Sequence, residues 1–204
     1  MKRLILTLLL MLCTVGTPAM ATEEPKFTLV MKDGDFEIRD YLPNVVAEVT
    51  VSGSQDRASS QGFRILAGYI FGGNTRRQSI AMTAPVAQNR TSETIAMTAP
   101  VTQTATGGNW AVRFIMPSEY TMATLPVPDD GRITLREEPA QRMAVIRFSG
   151  IADGRQVERR EQELDEQLAR RGLRRTGPTT LAQYDPPWTL WFMRRNEVMA
   201  PVAR

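Results

Sequence analysis

A seven-residue sequence that occurs twice constrains the fold of this chain more than any other feature. Ile80–Val86 reads IAMTAPV and recurs unchanged as Ile95–Val101, and a shortened version, VMAPV, closes the chain at Val198–Val202. Alternating side chains predict a β-strand in each copy, and the proline removes one ladder donor, so each strand should end at a sheet margin. The polar residues 89–92 between the copies predict a hairpin loop. The repeated residues supply no acid, base or nucleophile, which favours a structural role.

The first 21 residues have the pattern of a secretion signal. Lys2-Arg3 is a basic start, Leu4–Val15 is apolar, and Ala19–Ala21 has the small residues of a cleavage site. The apolar run is too short to span a bilayer, so stable membrane insertion is not expected. Cys13 raises a lipoprotein alternative, but the leucine before it is large for that signal. We predict cleavage after Ala21 and an exported product, periplasmic or secreted.

The composition of the remaining chain excludes several classes of function. The chain contains no His, and its one Cys lies in the leader, so the commonest metal ligand and general base is missing and no disulfide can form. Loss of two basic residues lowers the formal net charge from +3 to +1. This balance argues against nucleic acid or an anionic membrane as a partner. Residues 22–204 are long enough for one domain with its own core.

The patterns after the leader predict an α+β order of elements. Ser54 is a candidate N-cap for a first helix that runs to Phe71, and a second helix is predicted over Asp153–Arg171. Strands are predicted at Phe36–Tyr41, Val45–Val51, Trp110–Met116, Ile133–Glu137, Met143–Phe148, Thr179–Tyr184, Trp188–Arg194 and the closing VMAPV segment.

The two halves of the chain follow one plan. Val45–Gly53 and Arg142–Gly150 are both strand patterns that end in Ser-Gly and lead into a predicted helix. Each helix is followed by a glycine, further strands and a Met-Ala-Pro-Val type ending. We interpret this as an internal duplication whose halves form one domain, because a single helix could not cover the sheet of one half.

Several separated motifs, in order, resemble the SOUL heme-binding protein family over nearly all of the mature chain. The matching stretches are Phe36–Tyr41, Gly62-Phe63, Tyr69–Gly72, the two IAMTAPV copies, Phe114–Leu125, Phe148–Gly150 and Asn196–Val202. The resemblance implies a distorted antiparallel β-barrel built from two pseudo-symmetric βαβ-type repeats with two flanking helices. It also implies non-covalent binding of heme or another tetrapyrrole, with no settled enzymatic activity.

The resemblance places the pocket between the first helix and the loop before the last strands. The corresponding residues are Phe63, Leu66, Ala67 and Ile70, facing Tyr184, Pro187, Trp188 and Trp191. Arg64 would reach a propionate of the porphyrin. Core packing against the sheet is the alternative for Leu66 and Ile70.

Without His or Cys after the leader, an axial bond to iron could come only from Met, Tyr or Lys. We therefore expect apolar binding of the ligand with weak or no ligation of the iron by the protein, and we expect Met82 and Met97 in the sheet core. Two other classes of function stay open. The first is an interaction or structural module, marked by an exposed apolar surface. The second is a small-molecule hydrolase-like enzyme, with Glu119 and Tyr120 as the best local acid–base candidates.

Overall fold

Alternation of apolar and polar residues builds a large antiparallel sheet in residues 22–77, 92–186 and 188–203, the ranges described by the computed structural model. The elements, in chain order, are β1 (Phe27–Asp33), β2 (Phe36–Tyr41), β3 (Asn44–Ser52), α1 (Gln55–Ile70), β4 (Asn74–Thr75), β5 (Val101–Thr106), β6 (Asn109–Ile115), β7 (Val127–Pro128), β8 (Thr134–Glu138), β9 (Gln141–Ser149), α2 (Gly154–Arg170), β10 (Thr180–Gln183) and β11 (Arg195–Pro201).

Nine of these described strands form one curled sheet, in the order β1-β2-β9-β11-β10-β5-β6-β3-β8, and every ladder in it is antiparallel. The short strands β4 and β7 pair separately. Helix α1 packs on β3 and β6, and α2 packs on β9 and β11. The predicted fold class, an α+β protein with a distorted half-barrel sheet and two flanking helices, is confirmed.

Strands from the two halves of the chain are exchanged within the sheet. β2 precedes β3 in sequence, yet it pairs along its length with β9. β8 precedes β9, yet it pairs with β3. Each side of the sheet is therefore completed by a strand from the other half, and one domain over 22–204 stays a prediction.

Two apolar cores lie between the sheet and its helices. Under α1, Leu66, Tyr69 and Ile70 pack with the inward side chains of β3 and β6. Gly62 sits where α1 approaches β6 most closely, because an added Cβ there would lie 2.6 Å from Cβ of Val112. Under α2, the stripe of Val157, Leu164 and Leu168 packs with the inward side chains of β2, β9 and β11.

A third apolar cluster lies on the opposite face of the sheet. Tyr41, Val145, Ala182 and Met199 are buried there, with Met143 and Tyr184 packed against them. These residues alternate along their strands with the residues that face α2, so they point away from the helices.

The second copy of the repeated heptapeptide is not a strand, and that prediction is wrong. The N–H of Ile95 donates to the carbonyl of Ile70 at the end of α1, and the N–H of Ala99 donates to the carbonyl of Glu23. These partners take the place of a sheet ladder, and β5 begins only at Val101. Ile95 is buried in the α1 core, but Met97 is exposed and not in the core as predicted. The first copy, with Met82, and most of the loop between the copies lie outside the described residues.

The predicted strand over 188–194 is also wrong. This segment forms a turn and a short 3-10 helix, Trp191–Met193, and its apolar side chains are exposed instead of packing on a sheet neighbour. Strand β1 was not predicted from the sequence, because it is an edge strand whose residues are all exposed and which carries an irregularity between Leu29 and Met31. The closing VMAPV segment does lie in a strand, and β11 ends at its proline.

Candidate functional site

The most exposed apolar surface in the described part of the chain is one loop between β10 and β11, residues 188–193, which we call the aromatic loop. Trp188 is 83% exposed and Trp191 is 60% exposed, and Leu190, Phe192 and Met193 are each more than half exposed. The rings of Trp191 and Phe192 are in edge contact, with centroids 5.7 Å apart. Five large apolar side chains exposed within six consecutive residues indicate a surface for a ligand or partner.

Hydrogen bonds to the backbone of the aromatic loop hold it in place. The N–H of Met193 donates to the carbonyl of Leu190 over 2.9 Å. Arg194 Nε donates to the carbonyl of Thr189 over 2.8 Å. Because these bonds satisfy polar groups of the loop internally, its apolar side chains can be presented outward without unpaired backbone beneath them.

The predicted residues of the first helix divide into a buried and an accessible set. Leu66 and Ile70 are fully buried in the α1 core, so core packing accounts for them. Phe63 is half-buried, and its ring is in edge contact with Phe114 at 5.4 Å. Ala67 is half-buried, and Arg64 is exposed, with its Nε donating to the carbonyl of Ser60.

The sheet register relates the aromatic loop to the accessible residues of α1. Gln183, at the end of β10, pairs with Val101 of β5, and Val101 pairs with Phe114 of β6, which contacts Phe63. Adjacent strands lie about 4.8 Å apart, so the chain leaves β10 roughly 10 Å from Phe114. The aromatic loop therefore starts at the end of the sheet where Phe63 lies.

Tyr184 is on the other face of the sheet from the α1 residues. Its hydroxyl donates to Glu197 over 2.6 Å, and the guanidinium of Arg195 stacks on its ring at 3.5 Å. Burial, followed by the charge of Glu197, raises the pKa of Tyr184 well above its ordinary value, so the phenol stays protonated. Pro187 lies outside the described residues.

A buried charge network that we did not predict lies beside Tyr184. Glu197 is 0% exposed and accepts two hydrogen bonds from Arg39, of 2.8 and 3.0 Å. Arg39 also donates to Glu37 over 2.7 Å and to the hydroxyl of Tyr41 over 2.9 Å. Burial alone would lower the pKa of Arg39, but its bonds to Glu197 and the charge of that carboxylate outweigh burial and raise it.

A signal for this network was present in the sequence. Glu37 and Arg39 alternate with apolar residues in β2, and Glu197 sits inside a strand of apolar residues. Alternation of this kind ordinarily indicates a strand with one solvated face, whereas both faces of β2 are buried.

Tyr120 bonds to Glu93 and not to Glu119, its partner in the predicted acid–base pair. The hydroxyl of Tyr120 donates to Glu93 over 2.7 Å, and this bond, with burial, raises the pKa of Tyr120 to about 12. Glu93 also pairs with Arg76, while Glu119 is exposed. Within the described ranges, no group of three or more metal-ligating side chains occurs. No helix in those same ranges is long and apolar enough to cross a membrane.

Comparison with known proteins identifies the family. No curated protein sequence matches the chain. Among solved structures, the EcmrR C-terminal domain is 11% identical, with a TM-score of 0.59 over 83% of this chain and 97% of that one. A hydrolase from Listeria innocua is 12% identical, with a TM-score of 0.53 over 85% of this chain and 94% of that one. At such low identity these likenesses show a shared fold alone.

A family model described as SOUL heme-binding protein matches residues 22–201, and the chain therefore belongs to the SOUL heme-binding protein family.

Proposed function

We propose that this protein binds heme or a related tetrapyrrole, non-covalently, on the surface formed by the aromatic loop and the adjoining side of α1. Membership of the family supports tetrapyrrole binding in general. The observation that carries the location is the exposure of five large apolar side chains in six consecutive residues, 188–193.

The residues at this surface fit a porphyrin. The ligand is a flat apolar disc with two carboxylate arms, and it needs apolar contacts with a cation at its rim. The rings of Trp188, Trp191 and Phe192 offer the contacts, and Arg64 is an exposed cation on α1, one residue after Phe63. When bound, the heme would supply its iron, and Met193 is the one sulfur in the loop that could approach it.

The absence of His from the chain makes apolar contact the main source of affinity. The side chain of Met193 is more than half exposed, so we expect no strong axial bond. Affinity for metal-free protoporphyrin should then be close to that for hemin.

A titration of the protein with hemin, followed by absorption and tryptophan quenching, tests this proposal. Trp188→Ala should weaken binding at least tenfold, because burial of about 60 Å² of apolar surface is worth about 1.5 kcal/mol. Leu29→Ala is the matched control, since Leu29 is an exposed apolar residue on the edge strand β1. The thermal midpoints of both variants should equal that of the parent, because both side chains are exposed.

Exchange of one methionine separates ligation from apolar contact. Met193→Leu keeps the side-chain volume and should change the affinity for hemin by less than about tenfold, with an unchanged absorption spectrum. Loss of binding together with a changed iron spectrum would show a methionine ligand and would contradict this account of the site.

The exposed aromatic loop also favours an interaction module as a second candidate function. Absence of binding of both hemin and protoporphyrin at micromolar concentration would refute the tetrapyrrole proposal. A native mass that falls on Trp188→Ala would then assign the loop to a protein contact.

A further inference from the structure

Two adjoining cavities lie on the face of the sheet that points away from the helices. Their volumes are 620 and 350 Å³. They share the lining residues Pro25, Asn44, Ile115, Glu138 and Pro139. The two cavities therefore form one continuous groove, which we call the sheet groove. Its size is within the range of sites for small organic molecules.

We call the smaller cavity, of 350 Å³, the inner cavity. Its floor is apolar, and the buried charge network of Arg39 and Glu197 holds two of its rings in place. Tyr41, Met143, Tyr184 and Met199 line it. The hydroxyl of Tyr41 accepts a hydrogen bond from Arg39 over 2.9 Å, and that of Tyr184 donates to Glu197 over 2.6 Å. Because these hydrogen bonds hold both phenol hydroxyls, the two rings keep a fixed position. Little side-chain entropy is therefore lost when a ligand packs on them.

The charges on the opposite wall of the inner cavity are already paired. Arg136 donates to Glu48 over 3.0 Å and to Glu138 over 2.8 Å. Arg113 donates to Glu48 as well, and its second nitrogen donates to the hydroxyl of Thr104 over 2.9 Å. A ligand that carried a charge would have to displace these partners, whereas an uncharged ligand would not.

We infer that the inner cavity of the sheet groove is a second ligand site, separate from the aromatic loop, for an uncharged, largely apolar small molecule. The site is across the sheet from α1, and it shares no lining residue with the aromatic loop. The paired guanidiniums of Arg113 and Arg136 leave no free cation for the two carboxylates of a heme in the inner cavity.

A matched pair of fluorescent probes tests the chemical class of the ligand. N-phenyl-1-naphthylamine is uncharged, and 8-anilino-1-naphthalenesulfonate has the same ring system with an added sulfonate. The full chain should bind the uncharged probe at least tenfold more tightly than the sulfonate, because the cations of the wall are paired. Equal or tighter binding of the sulfonate would overturn the assignment to an uncharged ligand.

Variants of the chain test the location. Thr102→Trp and Thr180→Trp, on β5 and β10, each place a large ring in the inner cavity. Far-UV circular dichroism and a thermal midpoint select the variant that folds as the parent does. That variant should bind the uncharged probe at least tenfold more weakly than the parent does. The affinity of the variant for hemin should change less than twofold. In Trp188→Ala, the opposite pattern is expected.

Three results would overturn the inference. The first is no enhancement of probe fluorescence with the parent protein. The second is loss of probe binding in Trp188→Ala with normal binding in the groove variants, which would place the probe on the aromatic loop. The third is parallel loss of probe and hemin in the groove variants, which would make the groove the tetrapyrrole site and also refute the location proposed for heme. Failure of hemin binding alone, with probe binding as expected, would refute only the proposed function.

Discussion

Replacement of Arg39 by Met should destabilise the fold strongly, because buried Glu197 loses two charged hydrogen bonds and keeps as a nearby cation the half-buried Arg195, whose Nε is 3.4 Å from its carboxylate. Glu197 is fully buried, and two of its three hydrogen bonds come from Arg39. Removal of one partner of such a pair costs about 3–5 kcal/mol. This is a large part of the 5–15 kcal/mol that is typical for the whole free energy of unfolding of a domain.

Urea unfolding followed by circular dichroism measures the effect as a lower midpoint at an unchanged slope. The control is Arg132→Met, because Arg132 is 61% exposed and its pair with Asp130 is on the surface. The midpoint of the control should stay within the error of the measurement.

The double variant Arg39→Met with Glu197→Met distinguishes an unpaired charge from lost packing. Both buried charges are then gone, and Glu37 keeps Lys32 as a partner at 2.7 Å. The double variant should therefore be more stable than Arg39→Met alone, although the hydroxyl of Tyr184 loses its acceptor. The reasoning fails if Arg39→Met costs less than about 1 kcal/mol, or if the double variant is no more stable than the single one.

Three further predictions concern the leader, the domain and one glycine. Mass spectrometry of protein from an exporting host should show Thr22 as the first residue, and a lipid on Cys13 would contradict that cleavage. Residues 22–126 expressed alone should fold poorly, because β2 loses β9 and β3 loses β8; a sharply melting monomer would instead mean that the halves are independent. Gly62→Ala should cost about 1–3 kcal/mol by overpacking against β6. Gly68→Ala, on the same helix with open space around the added Cβ, should instead stabilise by up to about 1 kcal/mol, as thermal unfolding of the two variants would show.

Local patterns predicted most elements because those patterns follow from short-range geometry. The β2–β3 region, both helices to within a residue or two at each end, and the strand at 110–116 all have clear periodicity or end signals. The aromatic loop was assigned as a strand because alternation of bulky residues cannot show whether a sheet neighbour is available. Edge strand β1 was missed although Phe27, Leu29 and Met31 alternate along it; it has a sheet neighbour on one side only, and its residues are all exposed.

The candidate site shows the same division between local and long-range information. The family resemblance assigned Trp188 and Trp191 to the pocket, and both side chains are exposed. It could not separate Leu66 and Ile70, which fill the α1 core, from Phe63 and Arg64, which remain accessible, because all four lie on a few turns of one helix.

The sequence by itself determined both helices and most of the strands, the family, and the absence of His and disulfides from the chemistry of this protein. Only the tertiary structure decided which strands pair, since β2 and β9, or β3 and β8, are joined by hydrogen bonds between backbones distant in sequence. That pairing brings Arg39 of β2 to Glu197 of β11 across β9, and it forms the groove on the face opposite the helices. Contacts of this kind depend on the register of strands from different parts of the chain, which no local pattern encodes.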